Sequence, residues 1–310
     1  MIQDIFPKHL NNTFVACSPQ SHDTVLFFEG STVLAKVEDE DTVVYPQYEE
    51  FIEGIKTFYS KEAVDNYIFT YLLSIDDERF FMATRKREVL KGQFAGEFAD
   101  ENIHKEFESF IDGYEYVGVN VFRKAKPKEE AFAAITAYHL YGWYRDNRFC
   151  GRCGRPTEHD MKLRMLKCPA CGNMIFPKIC PAVIVAVTDK DRILLTKYAG
   201  RTYKNYALIA GYTEIGETAE ETVEREVMEE VGLKVKNIKY YKSQPWALSG
   251  SLLTGFFCEL DGDDNIKLDE DELAVGTWVK ASDIDFEDDG ISLTREMILK
   301  FRDEYINQQK

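Results

Sequence analysis

The 310-residue chain has no run of about eighteen or more apolar residues, so it offers no candidate for a membrane-spanning helix. Its opening, MIQDIFPKHL, has neither the basic start nor the apolar stretch of a secretory signal, and the expected location is the cytoplasm. Positive charge is scarce. With 38 Lys and Arg against 54 Asp and Glu the formal charge is -16, which argues against non-specific wrapping of nucleic acid, because cationic neutralisation of phosphates supplies most of that affinity. An anionic substrate would need local cations, from bound metal or from a basic island. Internal repeats and low-complexity tracts are absent, and residues 1–125 carry no chemical motif.

The length suggests about two domains, and a hydrophobic content of 45% is enough for more than one core. Residues 1–125 alternate strand-like runs such as Thr24-Val-Leu-Phe-Phe28 with acidic turns such as Glu38 to Thr42. A charged, Pro-containing connector from Lys124 to Glu130 (KAKPKEE) leads into segment 126–149, where a helix is expected over about Glu130 to Arg145. A cysteine module fills 150–177. From 178 to 310, paired buried strands are expected at Ala182 to Val187 and Arg192 to Thr196, then strand-like runs at Leu252 to Leu260 and Thr277 to Lys280 mixed with two helical patterns. The expected class is α+β.

Of the seven cysteines, Cys17, Cys180 and Cys258 are isolated and read as small buried hydrophobes. The other four form Cys150-Gly-Arg-Cys153 and Cys168-Pro-Ala-Cys171, separated by fourteen residues, a spacing that favours zinc over disulfides in the cytoplasm. Gly154 and Gly172 follow the pairs, so tight turns can bring backbone N–H groups to the sulfurs. Four thiolates close a tetrahedron, which makes the zinc structural. Around them, from Arg148 to Lys178, seven basic residues face two acidic ones, a local net of +5. That island is a solvated face or a receiver of phosphates or RNA. His159 reads as surface.

The most informative segment runs from Gly211 to Leu233. Thr218 and Glu221 form a capping-box pattern, so a helix should begin at about Ala219, bury Val223, Val227 and Val231, and stop at Gly232. Glu226, Glu229 and Glu230 then stand at i, i+3 and i+4. Like charges at that spacing repel, and anions in a last turn oppose the helix dipole. A hard divalent cation reverses both penalties, and magnesium, with its preference for oxygen ligands, suits the set.

Gly211, five residues, Glu217, seven residues, Arg225-Glu226-Val227, one residue, Glu229-Glu230, one residue, Gly232-Leu233 matches every fixed position of the Nudix box. The sequence resembles the Nudix hydrolases. The resemblance implies an α/β/α sandwich catalytic domain holding Mg2+ or Mn2+ on Glu226, Glu229 and Glu230, with the backbone carbonyl of Ala210 as a further ligand. It implies that Arg225 orients the carboxylates and that Glu217 stabilises the loop or meets metal through water. Metals of this kind neutralise a diphosphate and lower the pKa of an attacking water.

Ten residues beyond Leu233 the chain reads Ser243-Gln244-Pro245-Trp246-Ala247-Leu248-Ser249-Gly250-Ser251. This is similar to the SQPWPFPxS signature of the NADH pyrophosphatase branch, with Ala247, Leu248 and Ser249 in place of Pro-Phe-Pro. A Pro-Trp pair offers a rigid aromatic surface, and Gln and Ser donors suit ribose or phosphate oxygens. The branch also carries a four-cysteine zinc ribbon directly before its catalytic domain, and its members are typically homodimers. By the same resemblance Phe176 falls where a tyrosine often reaches the neighbouring subunit's ligand, and Tyr212 where a phenylalanine stacks on nicotinamide. Glu272 would be a further carboxylate near the metals, and Thr294 a substrate-lining residue.

The expected architecture is therefore an N-terminal α/β domain, a zinc ribbon and a Nudix domain. The expected activity is metal-dependent cleavage of NAD(H) into NMN(H) and AMP, with Glu229 or Glu272 as general base. Removal of NAD caps from RNA is a related reading. The rivals are another nucleoside diphosphate derivative such as ADP-ribose, and a binding module without turnover.

Overall fold

Residues 1–86, 108–200 and 205–308 are described by the computed structural model, and the chain divides into two bodies, Asp4–Lys178 and Met1–Gln3 with Ile179–Lys310. In the first body lie β1 (Leu10–Asn11), β2 (Thr24–Glu29), β3 (Thr32–Val37), β4 (Val43–Val44), α1 (Tyr48–Phe58), β5 (Tyr67–Ile75), β6 (Glu78–Arg85), β7 (Glu115–Gly118) and α2 (Lys128–Asp146). The strands form one sheet in the order β1-β5-β6-β2-β3-β4, with β7 also paired to β3. Val25 to Phe28 are all buried because helices cover both faces. Phe27 packs edge-on against Phe51 of α1 at 5.5 Å, while Phe28 meets Tyr138 and Tyr141 of α2 at 5.6 and 5.2 Å. The acidic turn at 38–42 closes with Glu38 N–H donating to the Thr42 carbonyl at 3.0 Å.

The connector helix starts two residues earlier than the sequence suggests. Pro127 stands at its N-cap with φ -68°, and Glu129, Glu130 and Arg145 sit at the ends that the helix dipole favours. Three short strands follow, β8 (Glu158–His159), β9 (Leu166–Lys167) and β10 (Met174–Ile175), in an antiparallel sheet beside the cysteines.

The second body holds β11 (Cys180–Asp189), β12 (Arg192–Tyr198), β13 (Ile209–Tyr212), α3 (Ala219–Val231), β14 (Val235–Trp246), β15 (Ser251–Leu260), β16 (Leu273–Lys280) and α4 (Leu293–Gln308). Its sheet runs β14-β15-β11-β12-β16, with β13 also on β11, and β11 pairs parallel with β15. The unbroken apolar run of β11 follows from burial on two sides. Val183, Val185 and Val187 pack with Val223, Val227 and Val231 of α3, whereas Ile184 and Ala186 pack with Leu293, Met297 and Ile298 of α4. This is an α/β/α sandwich within a mixed α+β chain. Among the described residues no helix is long and apolar enough to cross a membrane.

Candidate active site

The carboxylate helix is set by its two ends. Thr218 Oγ1 accepts from the Glu221 N–H at 3.2 Å, and Glu221 Oε2 accepts from the Thr218 N–H at 2.8 Å, closing the capping box. Gly232 ends the helix in the left-handed region at φ 68°. The loop before β16 closes the same end. Lys267 N–H donates to the Val231 carbonyl and Asp269 N–H to the Glu230 carbonyl, both at 2.9 Å, which satisfies last-turn acceptors and fixes the turn that carries Glu272.

With the valine stripe anchored in the sheet, Glu226 and Glu230 are pressed inward, 9% and 3% exposed, and Glu229 faces outward. Glu226 lies directly on Gly211 of β13, where a β-carbon would meet its carboxylate carbon at 1.9 Å. Burial holds the Glu226 carboxyl above the usual range, Arg225 opposes that rise, and the charges of Glu229 and Glu272 add to it. Glu229 and Glu272 therefore both lie near enough for their charge to reach Glu226. Ala210, opposite Ile184 in the sheet, precedes Gly211 on the same strand.

Arg225 is the hub of this cluster. Its Nε donates to Glu217 Oε1 at 2.6 Å and one terminal nitrogen to Glu217 Oε2 at 3.0 Å and the Tyr212 carbonyl at 2.9 Å. The other reaches Glu226 Oε1 at 2.7 Å and Glu229 Oε2 at 2.9 Å. Glu217 also accepts from the Glu214 N–H and the Thr222 hydroxyl, and with Arg225 as the main cause its carboxyl is held down at about 2. The set is made of hard oxygen donors, which fit a magnesium- or manganese-type ion rather than zinc.

Tyr212 connects the helix to the Ser243–Ser251 segment. Its carbonyl is held by Arg225, its ring is 51% exposed, and its hydroxyl accepts from Ser251 Oγ at 3.4 Å. Ser249 and Ser251 share a hydrogen bond of 2.8 Å. Ser243 to Trp246 are the end of β14 rather than a loop, paired with Thr254 to Ser251, and Ala247 to Gly250 alone make the turn. Pro245 is tolerated there because β14 is the sheet's edge strand.

Gln244 departs from its sequence reading. It is 0% exposed, and its side chain is committed to Gln3, Ile291 and Leu293, so its amide is not a donor facing solvent. Gln3 lies outside every motif and gave no sequence signal. Thr294 is the second residue of α4 and half-buried.

In the first body, the four cysteine sulfurs lie within 4.8 Å of one another. Cys150 and Cys171 are 3.6 Å apart and Cys153 and Cys168 3.5 Å, close to the roughly 3.8 Å between sulfurs that bind one zinc tetrahedrally. Gly154 and Gly172 take φ of 70° and 72° and donate to the Cys150 and Cys168 carbonyls, forming two matching turns. Asn173 Nδ2 and the Arg152 N–H approach Cys150 Sγ at 3.6 and 3.4 Å. Among the described residues this is the group of side chains gathered tightly enough for a metal without rearrangement; in α3 the arginine holds Glu226 and Glu229 instead. Arg164 is withdrawn from the basic island, since it donates to the Leu72 carbonyl and to Asn12. His159 stacks on Tyr144 at 4.8 Å, and Phe176 is 53% exposed.

Residues 178–301 match the family model of the NUDIX domain, and residues 145–176 match that of the NADH pyrophosphatase zinc ribbon domain. The chain carries a Nudix domain preceded by a zinc ribbon. It is 42% identical over 159 residues to the NAD-capped RNA hydrolase NudC of Actinobacillus succinogenes, a match spanning 49% of this chain and 60% of that protein. With the NudC of Salmonella schwarzengrund it shares 40% over 145 residues, 47% of this chain and 56% of the relative. The chain thus matches under two thirds of the length of these relatives. A solved NUDIX hydrolase from Nitrosomonas europaea aligns at 19% identity over 52% of this chain and 93% of its own, with a TM-score of 0.43. The Nudix domain contains the whole carboxylate cluster, the Tyr212–Ser251 contact and Gln244, and the ribbon contains the four cysteines.

Proposed function

We propose that the protein hydrolyses the pyrophosphate bond of NAD(H), giving NMN(H) and AMP. One P–O bond of the anhydride breaks and one forms to the oxygen of water, leaving two phosphomonoesters. The observation that carries this reading is the junction at Tyr212, whose carbonyl is held by the arginine of the carboxylate cluster and whose exposed ring is tied to Ser251. A planar ring of the substrate and its anhydride are thereby offered adjacent partners. The printed names of the NudC relatives support the same substrate class.

In this reading Glu226, Glu229, Glu230 and Glu272, with the Ala210 carbonyl, hold Mg2+ or Mn2+. The ions supply charge neutralisation of the diphosphate and a water of lowered pKa. Arg225 and Glu217 fix the carboxylates in register, and Glu229 or Glu272 takes the proton from water. Tyr212, Pro245, Trp246 and Ser251 bind the nicotinamide side of the substrate, with Ser243, Ala247, Leu248, Ser249, Gly250 and Thr294 around them. Gln244 shapes that segment from inside. The exposed Arg152, Arg155, Lys162 and Lys167 of the ribbon support the extension to NAD-capped RNA. Exposed Phe176 supports a homodimer in which it reaches the partner's ligand, and cysteine pairs gathered as for a metal suit the cytoplasm.

The test is incubation of the protein with Mg2+ and NADH, ADP-ribose or NAD-capped RNA, with products resolved beside Glu230→Gln. Formation of NMNH and AMP, lost in the variant, supports the proposal. Cleavage of ADP-ribose alone would move the substrate, and binding without turnover would make the domain a sensor.

A further inference from the structure

The segment that recognises substrate in the reading above ends an edge strand, contains a proline without an N–H, and turns over four residues into β15. An edge of that kind needs an outside constraint to hold one geometry. The structure supplies it from Ile291 and Leu293, nearly fifty positions on, and from Gln3, some 240 positions back. Gln244 Oε1 accepts from the Leu293 N–H at 2.8 Å, which fixes the orientation of its amide. Its Nε2 must then donate, and it does so to the Ile291 carbonyl at 2.7 Å and to Gln3 Oε1 at 3.1 Å. Gln3 in turn has its own Nε2 left to donate to the Ser243 carbonyl at 3.3 Å. Ile2, fully packed, adds a backbone bond from its N–H to the Ile291 carbonyl at 3.0 Å.

These contacts form a closed loop. Gln3 holds the backbone of Ser243 and the side chain of Gln244, and Gln244 holds the entry to α4 just before Thr294. The two elements to which substrate contact is assigned are therefore joined through one pair of facing amides. We propose that Gln3 is a positioning residue for substrate recognition, acting through Gln244 and the Ser243 carbonyl on Ser243–Ser251 and on the start of α4. The inference rests on the assignment of that segment to NAD(H) binding. It touches no substrate atom itself, so its signature is a change in ground-state recognition with the carboxylate cluster left intact.

Besides a contact of its Nε2 with Met1 Sδ at 3.3 Å, Gln3 makes these two bonds, and two variants separate them. Gln3→Met keeps the length of the side chain and removes the bonds to Gln244 and to the Ser243 carbonyl, along with the contact to Met1 Sδ. Gln3→Glu keeps an acceptor for Gln244 but has no donor for the Ser243 carbonyl. Steady-state kinetics with NADH and Mg2+, thermal melting and amide hydrogen exchange are measured on the full chain. For Gln3→Met we expect KM to rise about 5- to 10-fold with kcat within about twofold, and faster exchange at 243–251 and 293–294 with α3 unchanged. Gln3→Glu should fall between Gln3→Met and the parent protein. Lower melting temperatures with KM and local exchange unchanged in both variants would overturn the proposal. If the parent protein does not cleave NADH, the functional reading falls instead, and exchange at 243–251 still decides whether Gln3 holds the segment. Should Gln3→Met fail to fold, Gln3→Glu alone carries the decision by the same readouts.

Discussion

The carboxylate of Glu226 occupies the space beside Gly211 that any other residue would fill with its side chain, since a β-carbon there would stand 1.9 Å from Glu226 Cδ and 2.0 Å from Oε1. The glycine of the box is thus explained by close approach and not by backbone conformation. Its service is to let a carboxylate on α3 come flush against β13. Glu226 could give way at that contact only by leaving its place beside Arg225, which holds it at 2.7 Å.

Gly211→Ala should therefore be an active-site lesion with a small stability effect. The methyl displaces the Glu226 carboxylate by more than about 1 Å, a misplacement that commonly lowers turnover about 100-fold. Melting temperature should fall only a few degrees, because the strand backbone itself accepts alanine. Near-parental kcat in Gly211→Ala would show that Glu226 does not need its place on Gly211.

Arg225→Lys tests the hub. Arg225 makes five hydrogen bonds to four residues, three of them glutamates, from one planar fork. A lysine ammonium has three donors on one atom and cannot span Glu217, Glu226 and the Tyr212 carbonyl together. We expect kcat to fall about 10- to 100-fold at full metal saturation. The contrasting substitution is Glu221→Gln, which touches only the capping box. It should lower the melting temperature slightly and leave kcat in place.

The contrast between these two residues also shows how far the sequence could be read. The helix from Ala219 to Val231 was legible because its cap, its valine stripe and its stop are local signals between Thr218 and Gly232. The two faces of β11 were legible as an unbroken apolar run, though which helix covers which face was not. Arg225 as an orienting residue came with the family resemblance; its bond to the Tyr212 carbonyl depends on β13 meeting α3 across a loop. The strand at Ser243–Trp246 gave no sequence signal because Pro and Trp obscure it, and an edge position removes the penalty that proline carries in a sheet. Gln244 read as a ligand donor because a polar residue in a motif carries no sign of burial; its partners Gln3, Ile291 and Leu293 are distant in sequence.

The ribbon makes a prediction of its own. Its three strands have two residues each and little apolar surface to bury, so metal binding should contribute most of its folding free energy. Purified protein should contain one zinc per chain by elemental analysis. Cys153→Ser should lose that zinc and destabilise the ribbon, since three thiolates leave the tetrahedron open. Cys17→Ser should retain a full complement of zinc. Equal zinc content in all three proteins would mean that the metal is held elsewhere.

Glu129 and Glu130, neighbours in the first turn of α2, should give stability changes of opposite sign. Burial, with added repulsion from Glu78 and Glu129, pushes the Glu130 carboxyl from 4.5 up to about 7. As pH rises through that interval the unfolded chain loses this proton first, so the folded state loses stability from pH 4.5 upward and carries the full penalty above about 7. Glu130→Gln should then stabilise the protein at pH 8 by about 1 to 2 kcal/mol, a figure reduced for the carboxyl's partial exposure, and have much less effect at pH 5. The Glu129 carboxyl is lowered instead, by a hydrogen bond from its own N–H and by Lys8, which reaches it at 3.0 Å. Its contribution is present above its unfolded pKa and is lost as pH falls through the lower, folded one. Glu129→Gln should therefore destabilise at pH 8 and become neutral in acid. Urea denaturation of the parent and both variants at pH 5 and pH 8 measures the two signs, and a Glu130→Gln variant no more stable than its parent at pH 8 would place that carboxyl in water.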